Sequence, residues 1–266
     1  SLGKISSDKF LHKLPHLSFV WGDQDVEFLR KRFLALSSIP AFSEMEWTED
    51  KNVLEEWIPL LMKGRDRQIP IAATRIKRGT DVDFGALTES YLEYLENKGA
   101  IKLKLSTEVT ELVRNGEKNW KLTLRSKNSY ENIYTPFVFL GAGGGALTLL
   151  KKSRIPEGKN FGGFPVSGQW LICNNKDLVA GHNAKVYGKA QLGSPPMSVP
   201  HLDTRWIDGK RSLLYGPFAG FSTKFLKEGS YWDLFESLGI NNIFPMLNVG
   251  LKNSDLLKYL FNQIRL

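Results

Sequence analysis

The sequence predicts a mixed fold, α/β in its middle and α+β around it, and three observations carry that prediction. Apolar residues recur at helical spacing over 25–36 and 83–98, which predicts two amphipathic helices. An apolar strand over 135–140 runs into a glycine-rich turn and then a helix. Strand-forming residues, glycine and proline dominate from 156 to 221, which predicts an antiparallel sheet.

For the first part of the chain, residues 1–76, the sequence predicts two strands and two helices. In order, these are a strand over 14–21, a helix from residue 25 that Asp23 or Asp25 can cap and Pro40 ends, a helix over 50–62, and a strand over 68–76.

The middle part, residues 77–157, begins with the clearest helix, which Asp83 caps and Gly99 ends. Strict alternation over 101–105 predicts a half-buried strand. The remaining predicted elements are strands over 108–113 and 120–125, a polar hairpin over 126–132, the apolar strand over 135–140, and a helix over 147–152.

The last part, residues 158–266, continues as sheet and then returns to helix. The predicted helices span 231–238, 243–249 and 254–264. The sequence contains no internal repeat and no low-complexity tract.

Composition excludes several classes of protein. Hydrophobic residues make up 42% and charged residues 24%, which excludes a disordered chain, a collagen and a coiled-coil rod. The net charge of +8 favours an anionic partner or serves solubility only. No RNA-binding strand or helix-turn-helix pattern accompanies it, so nucleic acid is disfavoured. The single cysteine, Cys173, excludes an internal disulfide and a cysteine-based zinc site, and no metal is predicted.

The sequence also bears on targeting and processing. No apolar run approaches the roughly 20 residues that a membrane-spanning helix needs. The N-terminus has no apolar core of a signal peptide. It also lacks methionine, so we expect a chain that is processed, tagged or cut from a longer protein.

The turn from Gly141 to Ala146 fits the pattern G-x-G-x-x-A after a buried strand and before a helix. Such glycines let the backbone approach a dinucleotide pyrophosphate. The acidic residue expected about 20 positions later at a strand end is missing, since Glu157 lies in a loop. The turn is therefore either part of a discontinuous Rossmann-like sheet, with its first βαβ before residue 1, or a turn that only packs helix on strand.

Several longer motifs resemble the malate:quinone oxidoreductase family, from about residue 10 to 262. They are Pro15-His-Leu-Ser-Phe-Val-Trp-Gly22, Gly79-Thr-Asp-Val-Asp-Phe-Gly-Ala-Leu87, Gly141-Ala-Gly-Gly-Gly145, Gly162-Gly-Phe-Pro-Val-Ser-Gly-Gln169, Pro195-Pro-Met-Ser-Val-Pro-His-Leu-Asp-Thr-Arg205 and Ile207-Asp-Gly-Lys-Arg-Ser-Leu-Leu-Tyr-Gly-Pro217. The block from 195 to 217 is the most specific of them.

The resemblance implies an FAD enzyme that oxidises (S)-malate to oxaloacetate and passes electrons to a membrane quinone. It implies an architecture like that of D-amino-acid-oxidase-like flavoproteins, in which an FAD domain, here residues 77–157, is interleaved with an antiparallel-sheet substrate domain, here 1–76 and 158–266. It also implies a cytoplasmic protein that lies peripherally on the inner face of the cell membrane, which a basic surface would assist. No oligomeric state is predicted.

The family's N-terminal GxGxxG segment and its C-terminal FAD segment are both missing from this sequence. We therefore expect a central fragment that binds FAD weakly or not at all and is inactive by itself. The alternatives are an FAD-dependent enzyme for another 2-hydroxy dicarboxylate, such as 2-hydroxyglutarate, and a non-catalytic fragment.

Malate oxidation requires a base for the C2 hydroxyl proton and a clamp for carboxylate. We expect His201 to be the base, or else a sheet histidine bonded to backbone. Arg205 lies on the same strand face and suits a carboxylate, because its planar fork binds in a bidentate manner. Asp203 is interpreted as structural and facing the opposite way. His12 and His182 are interpreted as surface residues, and His16, on the first strand, is the next candidate base.

Weaker candidates complete the predicted site. Lys189 could hold the second carboxylate, with Gln169 and Tyr187 as polar contacts. For FAD, the resemblance implies that Gly141, Gly143 and Gly144 approach the cofactor and that the backbone of Val109 meets adenine. The alternative for Val109 is a plain core valine.

Overall fold

The computed structural model describes residues 5–190, 199 and 201–253. The chain divides into two compact units. Unit 1 comprises residues 1–101 and 168–218, and unit 2 comprises residues 102–167 and 219–266. These boundaries differ from the predicted ones at 76 and 157, because the helix that Asp83 caps belongs to unit 1.

A seven-stranded sheet forms the centre of unit 1. Its strands are β2 (His16–Trp21), β3 (Glu46–Thr48), β4 (Ile71–Ile76), β9 (Val166–Cys173), β10 (Lys185–Tyr187), β11 (His201–Ile207) and β12 (Lys210–Phe221). Their order is β3-β4-β2-β10-β11-β12-β9. β2 and β10 are parallel, whereas β10 with β11 and β11 with β12 are antiparallel, as predicted for the later part of the chain.

Helices cover both faces of this sheet near β2. α1 (Asp23–Ser37) places Val26 and Leu29 against Val20 and Ala72. On the other face, α2 (Lys51–Trp57) and α3 (Pro59–Met62) pack on Leu17, Phe19 and Val186. Because successive side chains of β2 point to opposite faces of the sheet, β2 contributes to two apolar cores.

Two predicted helix features are wrong. The residue before α1 is Gly22, with φ at 83°, so neither Asp23 nor Asp25 caps the helix. The helix predicted over 50–62 is split into α2 and α3, because Pro59 has no N–H to donate. Asp50 caps α2 by accepting a hydrogen bond from the N–H of Asn52.

A small second sheet joins the start of the chain to the helix α4 (Phe84–Asn97). β1 (Leu11–Lys13) pairs antiparallel with β5 (Thr80–Val82). Asp83 caps α4 as predicted, by accepting from the N–H of Ala86. A short helix, α6 (Lys176–Ala180), follows β9.

The described part of unit 2 contains a three-stranded antiparallel meander and three helices. The strands are β6 (Thr107–Asn115), β7 (Asn119–Ser126) and β8 (Ser129–Thr135), and the helices are α5 (Ala146–Lys152), α7 (Asp233–Glu236) and α8 (Ile240–Lys252). The segment predicted as a polar hairpin is thus the turn into a third strand. The helix predicted over 254–264 lies outside the described residues.

Two predicted strands are absent from the described part of unit 2. Of the strands predicted over 101–105 and 135–140, residues 101–105 and 136–140 are not paired in a sheet, although their apolar patterns are strong, and Thr135 is the last residue of β8. Phe137 and Phe139 are 73% and 83% exposed. An apolar segment becomes a strand only when a neighbouring strand takes its backbone hydrogen bonds, and the described residues supply none here.

No helix in the described ranges has both the length and the apolar character that crossing a membrane requires.

Candidate functional site

The polar face of β11 carries three candidate side chains in a row. Residues two apart on a strand point to the same face, so His201, Asp203 and Arg205 lie together. The expectation that Asp203 faces away is therefore wrong. Its carboxylate is 1% exposed and lies between the predicted base and the predicted clamp.

A buried ion network connects these residues. The Nζ of Lys185 lies 3.1 Å from Oδ2 of Asp203 and 3.0 Å from Oδ1 of Asp81. Oδ1 of Asp81 also lies 2.9 Å from Nε of Arg205. The chain of groups is thus His201, Asp203, Lys185, Asp81 and Arg205, in which two carboxylates balance two cations.

Asp81, in β5, and Asp83, which directly follows β5, connect this network to the seven-stranded sheet. Oδ2 of Asp81 accepts from the N–H of Trp206 at 2.9 Å. Oδ2 of Asp83 accepts from the N–H of Gly209, also at 2.9 Å, in the turn after β11. Burial opposes the charge of Asp83, but the N–H donors of Gly209 and Ala86 outweigh it and lower the pKa of this carboxyl. Sequence reasoning missed both roles, although the spacing Asp-x-Asp was visible in the second motif.

Both ring nitrogens of His201 face oxygen atoms of the chain. Nδ1 lies 2.8 Å from the carbonyl of Val199 and therefore donates to it. Nε2, which then carries the lone pair, lies 3.7 Å from Oδ2 of Asp203.

An aromatic row crosses the same face of the sheet. The ring of His16 lies 4.7 Å from that of Tyr187, which stacks on His201 at 4.3 Å, and Trp170 meets His201 edge-on at 4.8 Å. Gly216 of β12 pairs with His201, and a Cβ there would lie 3.2 Å from the ring of Trp170. The missing side chain at Gly216 is what lets Trp170 reach His201.

Burial changes the ionisation of two members of this row. It raises the pKa of Tyr187 to about 12, and the Asp203 carboxylate acts in the same direction. Burial lowers the pKa of His16, a shift that Asp203 opposes and that Lys185 and Arg32 support. At neutral pH both side chains are therefore uncharged hydrogen-bonding groups.

The other predicted contacts lie apart from the network. Lys189 forms an ion pair with Asp25 of α1, and its Nζ lies 4.5 Å from the ring centre of Phe28. Gln169 is exposed on β9.

The two histidines expected at the surface are not solvated side chains. His182 is 0% exposed, so the surface prediction for it is wrong. Its Nε2 lies 3.3 Å from the carbonyl of Leu202. His12 is half-buried, and its ring stacks on Trp206 at 4.2 Å.

The glycine turn of unit 2 borders an open, mainly apolar cavity of about 490 Å³. A short 3-10 turn spans Gly143–Gly145 before α5. Gly143 has φ at 53°, a conformation that favours glycine, and its missing Cβ faces open space. A Cβ at Gly144 would overlap the carbonyl oxygen of Phe225, so packing within the chain accounts for that glycine.

The turn fits part of an extended dinucleotide such as FAD, because Gly143 leaves its backbone accessible beside the cavity. The missing Cβ of Gly141 faces only the ring of Phe139 at 3.4 Å. Val109 is half-buried on β6, next to a register shift between Val109 and Glu111.

Comparison with known proteins identifies the family. The family model described as "Malate:quinone oxidoreductase (Mqo)" matches residues 2–266. A probable malate:quinone oxidoreductase of Prochlorococcus marinus (strain MIT 9211) is 58% identical over 99% of this chain and 53% of its own length. A second, from Synechococcus sp. (strain RCC307), is 57% identical over 99% of this chain and 54% of its own length. The chain thus spans about half the length of the curated relatives it matches.

Two solved structures are similar in fold. Reduced L-α-glycerophosphate oxidase from Mycoplasma pneumoniae, with FAD bound, gives a TM-score of 0.58 at 14% identity, over 88% of this chain and 59% of that one. A thermally stable mutant of fructosyl peptide oxidase gives 0.50 at 12% identity, over 78% and 45%. These likenesses confirm the predicted fold class.

Proposed function

The chain belongs to the malate:quinone oxidoreductase family, and from that premise we propose that the whole protein oxidises (S)-malate to oxaloacetate and passes the electrons to a membrane quinone. The observation that carries the proposal within this chain is the row of His201, Asp203 and Arg205 on one sheet face. This row supports the proposal, because a histidine and an arginine on one strand face suit the proton acceptor and the anion-binding group that oxidation of a hydroxy acid requires.

Bound FAD would supply the hydride acceptor that oxidation of the substrate at C2 requires. Gly141 and Gly143 would hold it through their backbone, beside the cavity that Gly143 lines, and Val109 would contact its adenine. Gly144 supports the turn by packing on Phe225. Of residues 77–157, the stretch 102–157 lies in the unit that carries the glycine turn, and we assign it to the cofactor domain, whereas the sheet of unit 1 belongs to the substrate domain.

His201 accepts the hydroxyl proton at Nε2, and Asp203 stabilises the resulting imidazolium. Arg205 binds a substrate carboxylate with the part of its guanidinium that Asp81 leaves free. Tyr187 contributes a neutral hydroxyl next to His201, since its phenol stays protonated at physiological pH. To bind substrate, Lys189 would have to release its ion-pair partner Asp25. Gln169 would make a peripheral contact with the substrate.

The protein acts at the cytoplasmic face of the cell membrane, where it binds peripherally. The net charge of +8 supports this, because a basic surface is attracted to anionic lipid. The quinone named for the relatives is the second substrate.

Anaerobic stopped-flow measurement of flavin reduction in the full-length protein tests the proposal. Malate should reduce the flavin, and His201→Gln should slow reduction by about 10²–10⁴-fold, the usual contribution of a catalytic base. His12→Gln is the matched control and should leave the rate unchanged. Reduction by 2-hydroxyglutarate in preference to malate would move the assignment to another 2-hydroxy dicarboxylate, and a wild-type rate for His201→Gln would move the base to His16.

Arg205 is tested by its own pair of variants. Arg205→Ala should raise the malate concentration needed for half-maximal reduction, and Arg205→Lys should restore binding only in part, because an ammonium group cannot form the bidentate fork. Equal behaviour of Lys and Arg at this position would contradict the clamp.

A further inference from the structure

We propose that Arg32, on α1, binds one carboxylate of a dicarboxylate substrate in a small cavity between α1 and the sheet of unit 1. This inference rests on the function proposed above. It assigns the preference for a diacid over a monoacid to a residue outside the ion network of Asp81, Lys185, Asp203 and Arg205.

The cavity has a suitable size and lining. Its volume is about 100 Å³, roughly three water molecules at about 30 Å³ each. A carboxymethyl arm has four non-hydrogen atoms and is of similar size. The polar groups at its wall are His16, Ser18, Arg32 and Thr74, and the apolar residues come from α1, β2, β4 and the segment before β3.

Arg32 is a cation without a carboxylate partner among the described residues. Its neighbours differ from it in this respect. Arg30 forms an ion pair with Glu49, and Lys31 lies 3.4 Å from Glu27. The cations that sequence reasoning assigned to substrate are also paired, Arg205 with Asp81 and Lys189 with Asp25. Arg32, an exposed residue of α1, is thus a cation for which the described residues supply no carboxylate partner.

The cavity adjoins the candidate catalytic face. His16 lines it and also contacts Tyr187, whose ring stacks on His201. The positive charge of Arg32 reaches His16, since it adds to the lowering of that pKa after burial and Lys185. A neutral His16 donates a hydrogen bond to a carboxylate, and the guanidinium of Arg32 adds a charge-assisted one.

A diacid carries two negative charges, and the ion network offers it little net charge. Asp81 and Asp203 already balance Lys185 and Arg205. A second, unbalanced cation at the other end of the aromatic row therefore supplies the attraction that distinguishes a diacid from a monoacid.

The test uses the full-length holoenzyme and three variants. Arg32→Met should raise the malate KM by about 10–100-fold, the usual effect of losing a charged hydrogen-bond partner, with kcat within about threefold. Arg32→Lys should recover part of this loss. Lys31→Met is the matched control, because it removes one positive charge from the residue directly before Arg32, and Lys31 does not line the cavity.

Two unreactive ligands give a readout that does not depend on turnover. Isothermal titration calorimetry should show that wild-type enzyme binds succinate more tightly than butyrate, and that Arg32→Met removes the difference. Lys31→Met should keep it.

The outcomes separate this proposal from the proposed function. Equal effects of Arg32→Met and Lys31→Met, or succinate binding no tighter than butyrate in the wild type, overturn the pocket even if malate reduces the flavin. If malate fails to reduce the flavin, the proposed function fails, whereas an Arg32-dependent preference for succinate still supports the pocket.

Discussion

Unit 1 and unit 2 both contain apolar segments, yet among the described residues the two clusters of buried apolar side chains lie in unit 1. In unit 1, β2 lies between β4 and β10, and Leu17 and Phe19 are buried beneath α2 and α3. In unit 2, Phe137 and Phe139 follow β8 without a pairing strand among the described residues and remain exposed. The difference teaches that alternation predicts which residues require burial, whereas the hydrogen-bond ladder decides whether a strand exists.

The largest expected effect concerns the open segment of unit 2. If 136–140 pairs with a strand outside these 266 residues, Phe139→Ala should destabilise the full-length protein by about 3–5 kcal/mol, as loss of a buried phenylalanine does. Phe84→Ala, at an exposed position of unit 1, is the control and should change stability by less than about 0.5 kcal/mol. Equal losses in urea denaturation would show that Phe139 stays exposed.

Unit 1 should be strongly destabilised by removal of one of its buried charges. Lys185→Met leaves Asp81 and Asp203 without their shared cation and should cost about 3–5 kcal/mol in urea denaturation. The comparison is Lys189→Met, which breaks a more exposed pair and should cost about 0–1 kcal/mol. Similar losses for the two variants would mean that burial does not set the strength of the network.

Unit 2 is closely packed at Gly144, and a substitution there should give an intermediate effect. Gly144→Ala forces a Cβ into the carbonyl of Phe225 and should cost about 1–3 kcal/mol. Gly145→Ala is the matched control, because its Cβ would meet Leu226 at an ordinary 3.5 Å and φ is negative. A neutral Gly144→Ala variant would show that this turn is loosely packed.

The smallest expected effect is a difference between the two units in how much stability they lose at low pH, because all four histidines lie in unit 1. Burial lowers the pKa of His182 below 6.5, so protonation favours the unfolded state. The stability that neutral His182 contributes is present above pH 6.5 and is lost as pH falls through the lowered pKa.

Hydrogen exchange, corrected for intrinsic rates, should therefore show unit 1 losing protection below pH 6.5 while unit 2 does not. His182→Gln should remove part of this pH dependence. Equal acid sensitivity of the two units would contradict the assignment to histidine.

The sequence predicted local elements well and long-range partners poorly. The cap at Asp83, the strand around Phe19 and the later antiparallel strands were confirmed, because each depends on neighbouring residues. The buried state of His182 and the pairing of Lys185 with Asp81 could not be predicted, since both depend on which strands meet.

The position of Asp203 is a different case. Strict counting of alternate residues along β11 places it with His201 and Arg205, so the sequence contained the answer. The role of the residue as the neighbour of both Lys185 and His201 still required the register of β10 against β11.

During synthesis, Asp81 and Asp83 are made long before the residues that bind their carboxylates. Asp81 meets Lys185 across 104 residues and the N–H of Trp206 across 125, and Asp83 meets Gly209 across 126. At about 5–20 residues per second on the ribosome, that gap lasts roughly 6–25 s. During this interval β5 and the cap of α4 can form, but the site cannot, so the nascent chain acquires its framework before its chemistry.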